Sequence, residues 1–196
     1  MAPDRDKWKK KSRYYYNHLE NFISFLAPEN KRVVEIGCGN GDLLFKLKPS
    51  YGLGIDISDK MIELARQKNS NPKIEFKVGA VENIEGFFDY VILSDLIGCL
   101  PDIEDFFRKL SRVMHSQSKI IITQYSQLWE PLLSLASSVG LRTPVQITQN
   151  WISLQDINNF LQLTGFESIK SGKKLLFPKN IPLVSKIINN YLINLW

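Results

Sequence analysis

Three closely spaced glycines point to a loop that approaches a ligand closely. The segment Glu35–Asp42 reads E-I-G-C-G-N-G-D and follows a short apolar run. Gly37, Gly39 and Gly41 lack Cβ atoms and can adopt positive φ, so the backbone there can pass close to a bound group. Asp56 ends a second predicted strand about 20 residues later, where a carboxylate can accept hydrogen bonds from ribose hydroxyls. The pattern predicts a strand-loop-helix unit that binds a nucleoside.

The acidic residues around this loop indicate which nucleoside is bound. The dinucleotide fingerprint G-x-G-x-x-G uses its third glycine to open a helix, whose N-terminus then holds a pyrophosphate. Here the third glycine comes one residue early and Asp42 follows it. That carboxylate complements the positive end of the helix but repels a pyrophosphate. Glu35 adds a second negative group, which suits a ligand that carries an ammonium and a sulfonium.

The glycine segment resembles the first motif of the class I S-adenosylmethionine-dependent methyltransferases, E/D-x-G-x-G-x-G. Gly54–Ser58 resembles their second motif, Phe76–Glu82 is similar to their third strand and the turn below the adenine, and Phe88–Leu96 to their fourth strand. A lone glycine motif would indicate no more than a tight turn, but four motifs occur here in the family's order. The resemblance covers Val33 to Ile122, and it implies a methyltransferase with S-adenosylmethionine as cofactor.

The resemblance also assigns the residues that contact the cofactor. They are Glu35, Gly37, Gly39, Gly41, Asp56, Ile57, Ala80, Val81 and Ser94. Ala80 stands where family members often carry an aspartate that accepts the adenine amine. Only backbone groups near Ala80 and Val81 then remain for adenine recognition.

The order of apolar segments predicts an α/β fold, a Rossmann-like, doubly wound and mostly parallel sheet flanked by helices. Continuous apolar strands such as Val91–Leu93 imply burial on both faces of the sheet. The predicted strands are 32–36, 51–55, 73–78, 89–93 and 119–124, and the predicted helices are 12–26, 42–47, one from Ser58 to the Asn69 turn, and one with Pro101 in its first turn. The family resemblance implies the strand order 3-2-1-4-5-7-6.

The last third of the chain is less regular, and we expect it to carry acceptor specificity. Trp129 to Ala136 and Leu154 to Leu161 suggest helices, and Gly165 begins a predicted sixth strand, but no good candidate for strand seven follows. The apolar stripe Val184–Leu195 needs a partner, which could be its own domain, a second copy or a lipid surface. We interpret residues 1–196 as one domain, with a basic arm and entry helix (1–30), a cofactor-binding core (31–124) and acceptor-side elements (125–196).

Methyl transfer from a sulfonium is an in-line displacement that needs alignment of the acceptor and exclusion of water. A hydroxyl acceptor must also lose a proton, and His18 and Asp95 are the candidates to take it. A packing role for His18 and a turn or cap role for Asp95 are the structural alternatives. Tyr15, Tyr16, Tyr125 and Trp129 are expected to line the acceptor pocket, although Trp129 could belong to the core. His115 is predicted to lie on the surface, at the opposite edge of the sheet.

The acceptor class is narrowed by absent motifs. Ser94–Ile97 departs from the Pro-Pro motif of the family's amino-directed nucleic-acid enzymes, and no cluster has metal-ligand spacing. We therefore expect O-methylation of a small-molecule, lipid or glycan-bearing acceptor, with no metal. A methyltransferase-like interaction domain without catalysis and a nicotinamide-dependent oxidoreductase are the alternatives.

The charge and the cysteine content indicate the compartment and the partners of the protein. The net charge is +5, and residues 1–13 hold six Lys or Arg against two Asp, which predicts a solvated arm and, with few aromatics, argues against nucleic-acid binding. The N-terminus is too charged for a signal peptide, and no apolar run is long enough to span a membrane. Cys38 and Cys99 are interpreted as buried thiols in a reducing compartment. A cytoplasmic location follows, with peripheral membrane contact or homodimerisation through the C-terminal stripe left open.

Overall fold

The computed structural model of the chain describes residues 13–124 and 150–173, and their strands form one parallel sheet. The strands are β1 (Arg32–Ile36), β2 (Tyr51–Asp56), β3 (Ile74–Val78), β4 (Phe88–Ser94) and β5 (Met114–Thr123). Their spatial order is β3-β2-β1-β4-β5, and every neighbouring pair is parallel. The carboxyl ends of all five strands therefore meet at one edge. The predicted Rossmann-like α/β fold is confirmed.

Helices cover both faces of the sheet. They are α1 (Arg13–Leu26), α2 (Asp42–Leu47), α3 (Asp59–Lys68), α4 (Ile103–Leu110) and α5 (Leu154–Leu163). Helices α1, α2 and α3 share one apolar cluster with Val33 and Ile92. Helices α4 and α5 share the other cluster with Val34 and Val91. Neighbouring strand residues thus point to opposite faces, and each face is buried, as a parallel sheet between helices requires.

The apolar stripe of α4 is buried as predicted, but Pro101 lies before the helix rather than in its first turn. Asp102 is the N-cap residue, and its side chain accepts a hydrogen bond from the Asp105 amide at 2.9 Å. Aspartate is a preferred N-cap residue because its side chain satisfies an open amide of the first turn, so the helix begins after Asp102. On α1 the predicted inward position Leu26 is 37% exposed, because Ile23 and Ala27 take the inward positions at this end of the helix.

Strand β5 begins at Met114, five residues earlier than predicted, so His115 lies within the strand rather than in a turn. A bulge explains the difference. Phe88 pairs with Met114 and Tyr90 pairs with Lys119, so two steps along β4 match five steps along β5. The pairing is regular from Lys119 to the last pair, Ser94 with Thr123.

The predicted sixth strand at Gly165 is absent from residues 165–173, the part of it that the structure describes. Phe166 instead folds back on α5. Its amide donates to the Leu161 carbonyl at 2.8 Å, and its ring centroid lies 5.9 Å from that of Phe107. In the described residues, partial burial of this aromatic ring against α4 therefore takes the place of strand pairing.

Several predictions fall outside the described residues: the basic arm before Arg13, the helix at Trp129, the continuation of strand six, strand seven and the C-terminal apolar stripe. The proposed lipid and dimer contacts of that stripe stay predictions. Among the described helices, none combines the length and apolarity needed to cross a membrane.

Candidate functional site

The glycine loop joins β1 to α2 at the carboxyl edge of the sheet. Gly37, Gly39 and Gly41 all have positive φ, at 75°, 55° and 80°. The amides of Gly37 and Cys38 donate to the Ile55 carbonyl at 2.8 and 3.1 Å, which holds the loop against β2. A Cβ atom on Gly41 would lie 2.4 Å from the Phe76 ring. The loop therefore requires glycine for both its conformation and its packing.

Asp56 fixes this loop from the end of β2. Its side chain is 8% exposed, and its two oxygens accept hydrogen bonds from the backbone amides of Gly39 and Ser58, each at 2.9 Å. Each carboxylate oxygen retains a second lone-pair direction that can accept a hydroxyl. Glu35, which is 4% exposed, lies at the other side of the loop in β1. The loop is thus flanked by two buried carboxylates.

The wall beside Asp56 is formed by the end of β3 and the turn after it. Val78 pairs with Asp56, and the Gly79 amide donates to the Asp56 carbonyl at 3.0 Å. Ile57 and Val78 are exposed apolar residues, at 74% and 46%. The Ala80 amide donates to Asn83 Oδ1 at 2.9 Å. This wall presents apolar side chains next to the carboxylate that ends β2.

Asp95 and Tyr15 meet at the end of β4. The Tyr15 hydroxyl donates to Asp95 Oδ2 at 2.9 Å, across 80 positions of sequence. The Asp95 amide donates to the Thr123 carbonyl at 2.9 Å, and the Thr123 hydroxyl lies 3.4 Å from Asp95 Oδ1. Asp95 has a φ of 53°, a left-handed conformation that is uncommon outside glycine. Residues from α1 and β5 therefore converge on the carboxylate that follows β4.

Leu96 connects the end of β4 with the glycine loop. A Cβ atom on Gly37 would lie 3.0 Å from Leu96 Cδ1, so the leucine side chain rests on the glycine loop. Asp95 precedes Leu96, and it is therefore adjacent to the loop that β1 presents. The predicted proton acceptor therefore lies at the same edge of the sheet as the glycine loop.

The other predicted site residues lie on α1, at the end of β4, below the β3 turn or outside the described residues. Tyr16 is in edge contact with Tyr15, with ring centroids 5.2 Å apart, and the half-buried His18 lies 6.1 Å from the Tyr14 ring. Ser94 ends β4 opposite Thr123. Tyr125 and Trp129 lie outside the described residues. Val81 is buried below the β3 turn, at 5% exposure.

His115 and the cysteines complete the comparison with the sequence. His115 is exposed at the amino edge as predicted, with Nε2 3.4 Å from Asp89 Oδ1. Cys38 is buried, but Cys99 is exposed, which corrects the interpretation of both as buried thiols. Cys99 ends a short 3-10 turn whose inward side is taken by Ile97.

Sequence reasoning missed three residues of the site: Leu96, Thr123 and Asn83. Thr123 is the last residue of β5 and could have been found from its position at the same edge as Asp95. The Asn83 side chain accepts a hydrogen bond from the Ala80 amide in the turn after β3, and no sequence pattern predicts that contact. The contact of Leu96 with Gly37 depends on how β4 continues after the sheet.

The site fits a cationic nucleoside. The ionisable groups that flank the glycine loop, Glu35 and Asp56, are both acidic and both buried. An acidic donor set of this kind stabilises a positively charged ligand and disfavours a pyrophosphate.

Comparison with known proteins gives a family. Residues 28–165 match a family model described as "Methyltransferase domain". Over 109 residues the chain is 33% identical to a ribosomal protein L11 methyltransferase of Thermotoga neapolitana, covering 52% of this chain and 40% of that protein. It is 24% identical over 181 residues to phthiotriol/phenolphthiotriol dimycocerosates methyltransferase 1 of Mycobacterium ulcerans, covering 87% and 63%.

A solved structure agrees in fold. A SAM-dependent methyltransferase of Thermotoga maritima superposes with a TM-score of 0.74 and 21% identity, over 93% of this chain and 86% of that one. The chain spans 40% and 63% of the length of the two curated relatives above. These matches favour a methyltransferase over the oxidoreductase alternative.

Proposed function

The chain belongs to the class I S-adenosylmethionine-dependent methyltransferases, and we propose that it transfers the cofactor's methyl group to a hydroxyl oxygen of a small-molecule, lipid or glycan-bearing acceptor. The observation that carries this proposal is the hydrogen bond between Tyr15 and Asp95, beside the glycine loop. When bound, S-adenosylmethionine supplies a methyl carbon made electrophilic by a positive sulfur. The residues of the chain then have to hold the nucleoside, orient the acceptor and accept its proton.

The cofactor half of the site would be held by Glu35, Asp56 and the glycine loop. Asp56 would accept hydrogen bonds from the ribose hydroxyls with the lone pairs that its two backbone bonds leave open. The Glu35 carboxylate would complement the cationic part of the ligand. Ser94 and the backbone at Ala80 and Val81 complete the predicted contacts.

Asp95 is our candidate for the proton acceptor. A carboxylate that takes a hydroxyl proton must point at the acceptor oxygen, and the Tyr15 hydroxyl fixes one of its oxygens at 2.9 Å. Thr123, near the other oxygen, restricts rotation of the carboxyl group. The left-handed backbone at Asp95 is consistent with a functional constraint, since such conformations cluster at active sites. His18, further along α1, is the second candidate.

The acceptor itself is proposed from the shape of this edge. The side chains of Tyr15 and Tyr16 present aromatic surface and hydroxyl groups, a combination that suits a neutral, partly apolar molecule with hydroxyls. The names of the two curated relatives refer to acceptors as different as ribosomal protein L11 and phthiotriol dimycocerosates. The acceptor class of this chain therefore depends on its own residues.

Isothermal calorimetry with S-adenosylhomocysteine tests the binding of the cofactor. Transfer of a labelled methyl group to a panel of hydroxyl, lipid, glycan and amine acceptors tests the acceptor class.

Asp95→Asn is the sharpest variant, because asparagine is isosteric and tolerates left-handed φ. We expect turnover to fall by roughly 100-fold or more, the size of a lost general base. Asp105→Asn, which changes an exposed carboxylate that pairs with Lys109, is the matched control. Transfer to amines alone would contradict O-methylation.

A non-catalytic interaction domain is the second candidate, and one observation favours it. Both oxygens of Asp56 already accept backbone hydrogen bonds, so this carboxylate has a structural role without any ligand. Absence of heat with S-adenosylhomocysteine at high protein concentration would support this candidate and remove the catalytic one.

A further inference from the structure

Phe76, in the middle of β3, is 3% exposed and packs against the glycine loop. We propose that Phe76 is a positioning residue for the cofactor. Its ring fixes the glycine loop relative to Asp56, and it thereby sets the affinity for the nucleoside without touching the ligand. This inference rests on the proposed function, because it takes the cleft between the loop and Asp56 as the cofactor site.

The Phe76 ring occupies the space that two glycines leave open. A Cβ atom on Gly41 would lie 2.4 Å from ring atom Cζ, and a Cβ atom on Gly54 would lie 2.5 Å from Cδ1 and Cε1. Gly41 belongs to the loop, whereas Gly54 belongs to β2 and pairs with Phe76. Packed carbon atoms are about 3.5 to 4 Å apart, so the ring requires glycine at both positions. One ring therefore contacts the loop and β2 at the same time.

The loop and β2 carry the two ends of the hydrogen bond that holds Asp56. The Gly41 amide donates to the Cys38 carbonyl at 3.0 Å, so residues 38–41 form one tight turn. Within that turn, the Gly39 amide donates to Asp56 Oδ2 at 2.9 Å. Asp56 follows Gly54 by two residues in β2. The ring therefore supports both the donor and the acceptor of this hydrogen bond.

Phe76 is itself held from two other directions. Arg66 on α3 donates from Nε and Nη2 to the Phe76 carbonyl, at 3.0 and 2.7 Å. Phe45 on α2 meets the Phe76 ring edge to face, with the ring centroids 5.6 Å apart. A close-packed interior of this kind transmits a change in volume to its neighbours. The ring is therefore a rigid support, and a smaller side chain would leave the loop free to shift.

A merely structural role for Phe76 predicts a loss of stability and nothing more, and Phe107 supplies the comparison. Phe107 lies on α4, is 0% exposed, and packs against Phe106 and Phe166 in the apolar cluster on the opposite face of the sheet. Truncation to leucine removes the same atoms at both positions and should destabilise the domain in both cases. Only Phe76→Leu removes ring atoms from the glycine loop.

The test is calorimetry with S-adenosylhomocysteine on the full chain and on both leucine variants, under conditions where urea titration shows each of them folded. We expect the dissociation constant to rise by about tenfold or more in Phe76→Leu, because a binding site that is no longer held in place loses affinity. In Phe107→Leu it should stay within about twofold of the natural value. If Phe76→Leu does not fold, Phe76→Met keeps more of the volume on a flexible side chain, and its dissociation constant should rise by about threefold or more.

The contact with Gly54 gives a second measurement. Gly54 lies in β2, so an added methyl group there is opposed by the Phe76 ring at 2.5 Å and by Cys38 Sγ at 2.9 Å rather than by the backbone. Gly54→Ala should lower the urea midpoint of the natural chain. In the Phe76→Leu background the drop should be smaller by about half or more, because leucine lacks Cε1 and can turn its methyl groups away. Equal drops in the two backgrounds would overturn the inference.

The outcomes separate this inference from the function that it rests on. If Phe76→Leu, or Phe76→Met in its place, binds S-adenosylhomocysteine within about twofold of the natural chain, the inference is overturned and the proposed function stands. If Phe107→Leu loses as much affinity as Phe76→Leu, the effect belongs to the core in general, and the inference again fails alone. If the natural chain does not bind S-adenosylhomocysteine, the proposed function fails, and the inference fails with it.

Discussion

The two halves of the carboxyl edge are built in different ways. On the cofactor side, glycines and backbone amides of β1, β2 and their loops make most contacts, and the partners are close in sequence: Gly39 and Asp56 are separated by 17 positions. On the acceptor side, Tyr15 and Asp95 are separated by 80 positions and Asp95 and Thr123 by 28. The first half depends on local conformation, and the second depends on how distant elements pack.

This difference explains what the sequence could predict. The bounds of β1 and α2 agree with the prediction, because an apolar run, a glycine loop and an acidic first turn are all local signals. The predicted start of β5 was wrong, because a bulge inserts residues into the strand and no pattern of residue types predicts that bulge. Tyr15 and Asp95 were each singled out, but their hydrogen bond depends on where the first turns of α1 sit over the sheet, which no spacing encodes.

Substitutions on one side of the carboxyl edge should leave the other side unchanged. The largest effect is expected from Gly41→Ala on the cofactor side. The new methyl group would meet the Phe76 ring at 2.4 Å, and the left-handed φ of 80° would strain any side chain. We expect the free energy of unfolding, measured by urea titration, to fall by about 2 to 5 kcal/mol. Gly172→Ala, where a methyl group would meet nothing within 4 Å, is the control and should stay within about 0.5 kcal/mol. Equal stability of the two variants would contradict the packing described here.

Asp56→Ala should have the next largest effect. It removes the proposed acceptor of the ribose hydroxyls and frees the amides of Gly39 and Ser58. We expect the affinity for S-adenosylhomocysteine to fall by about 1.5 to 3 kcal/mol by calorimetry. Asp59→Asn, a nearby exposed carboxylate, is the control. Unchanged affinity in Asp56→Ala would remove this residue from the site.

Tyr15→Phe tests the acceptor side alone. It deletes the hydroxyl that holds Asp95 and leaves the aromatic ring in place. We expect turnover to fall about tenfold, equivalent to about 1.4 kcal/mol, while the affinity for S-adenosylhomocysteine changes by less than about twofold. Tyr14→Phe, one position earlier on α1, controls for the loss of a hydroxyl from this helix. A matching drop in cofactor affinity would show that the two halves are not separate.

The smallest effect concerns the N-terminus of α5. Hydrogen bonds from Ser153 lower the pKa of the Asp156 carboxyl group below its ordinary value. The folded state therefore gains stability at pH values above the unfolded pKa, and this gain is lost as the pH falls through the lower folded pKa. We expect Asp156→Asn to be less stable than the natural chain at pH 6 and the two to converge in acid, measured as thermal midpoints across pH. A difference that persists at the lowest pH would contradict an ionised cap.

The bulge in β5 has a consequence for how this domain tolerates change. The surplus residues between Met114 and Lys119 are taken up at the amino edge, before the regular pairing that ends with Ser94 and Thr123. Insertions or deletions in that segment alter the length of the chain without displacing the threonine that reaches Asp95. The amino edge of the sheet can therefore accept a tag or a fused peptide, in evolution or by engineering. The position of Thr123 relative to Asp95 is preserved.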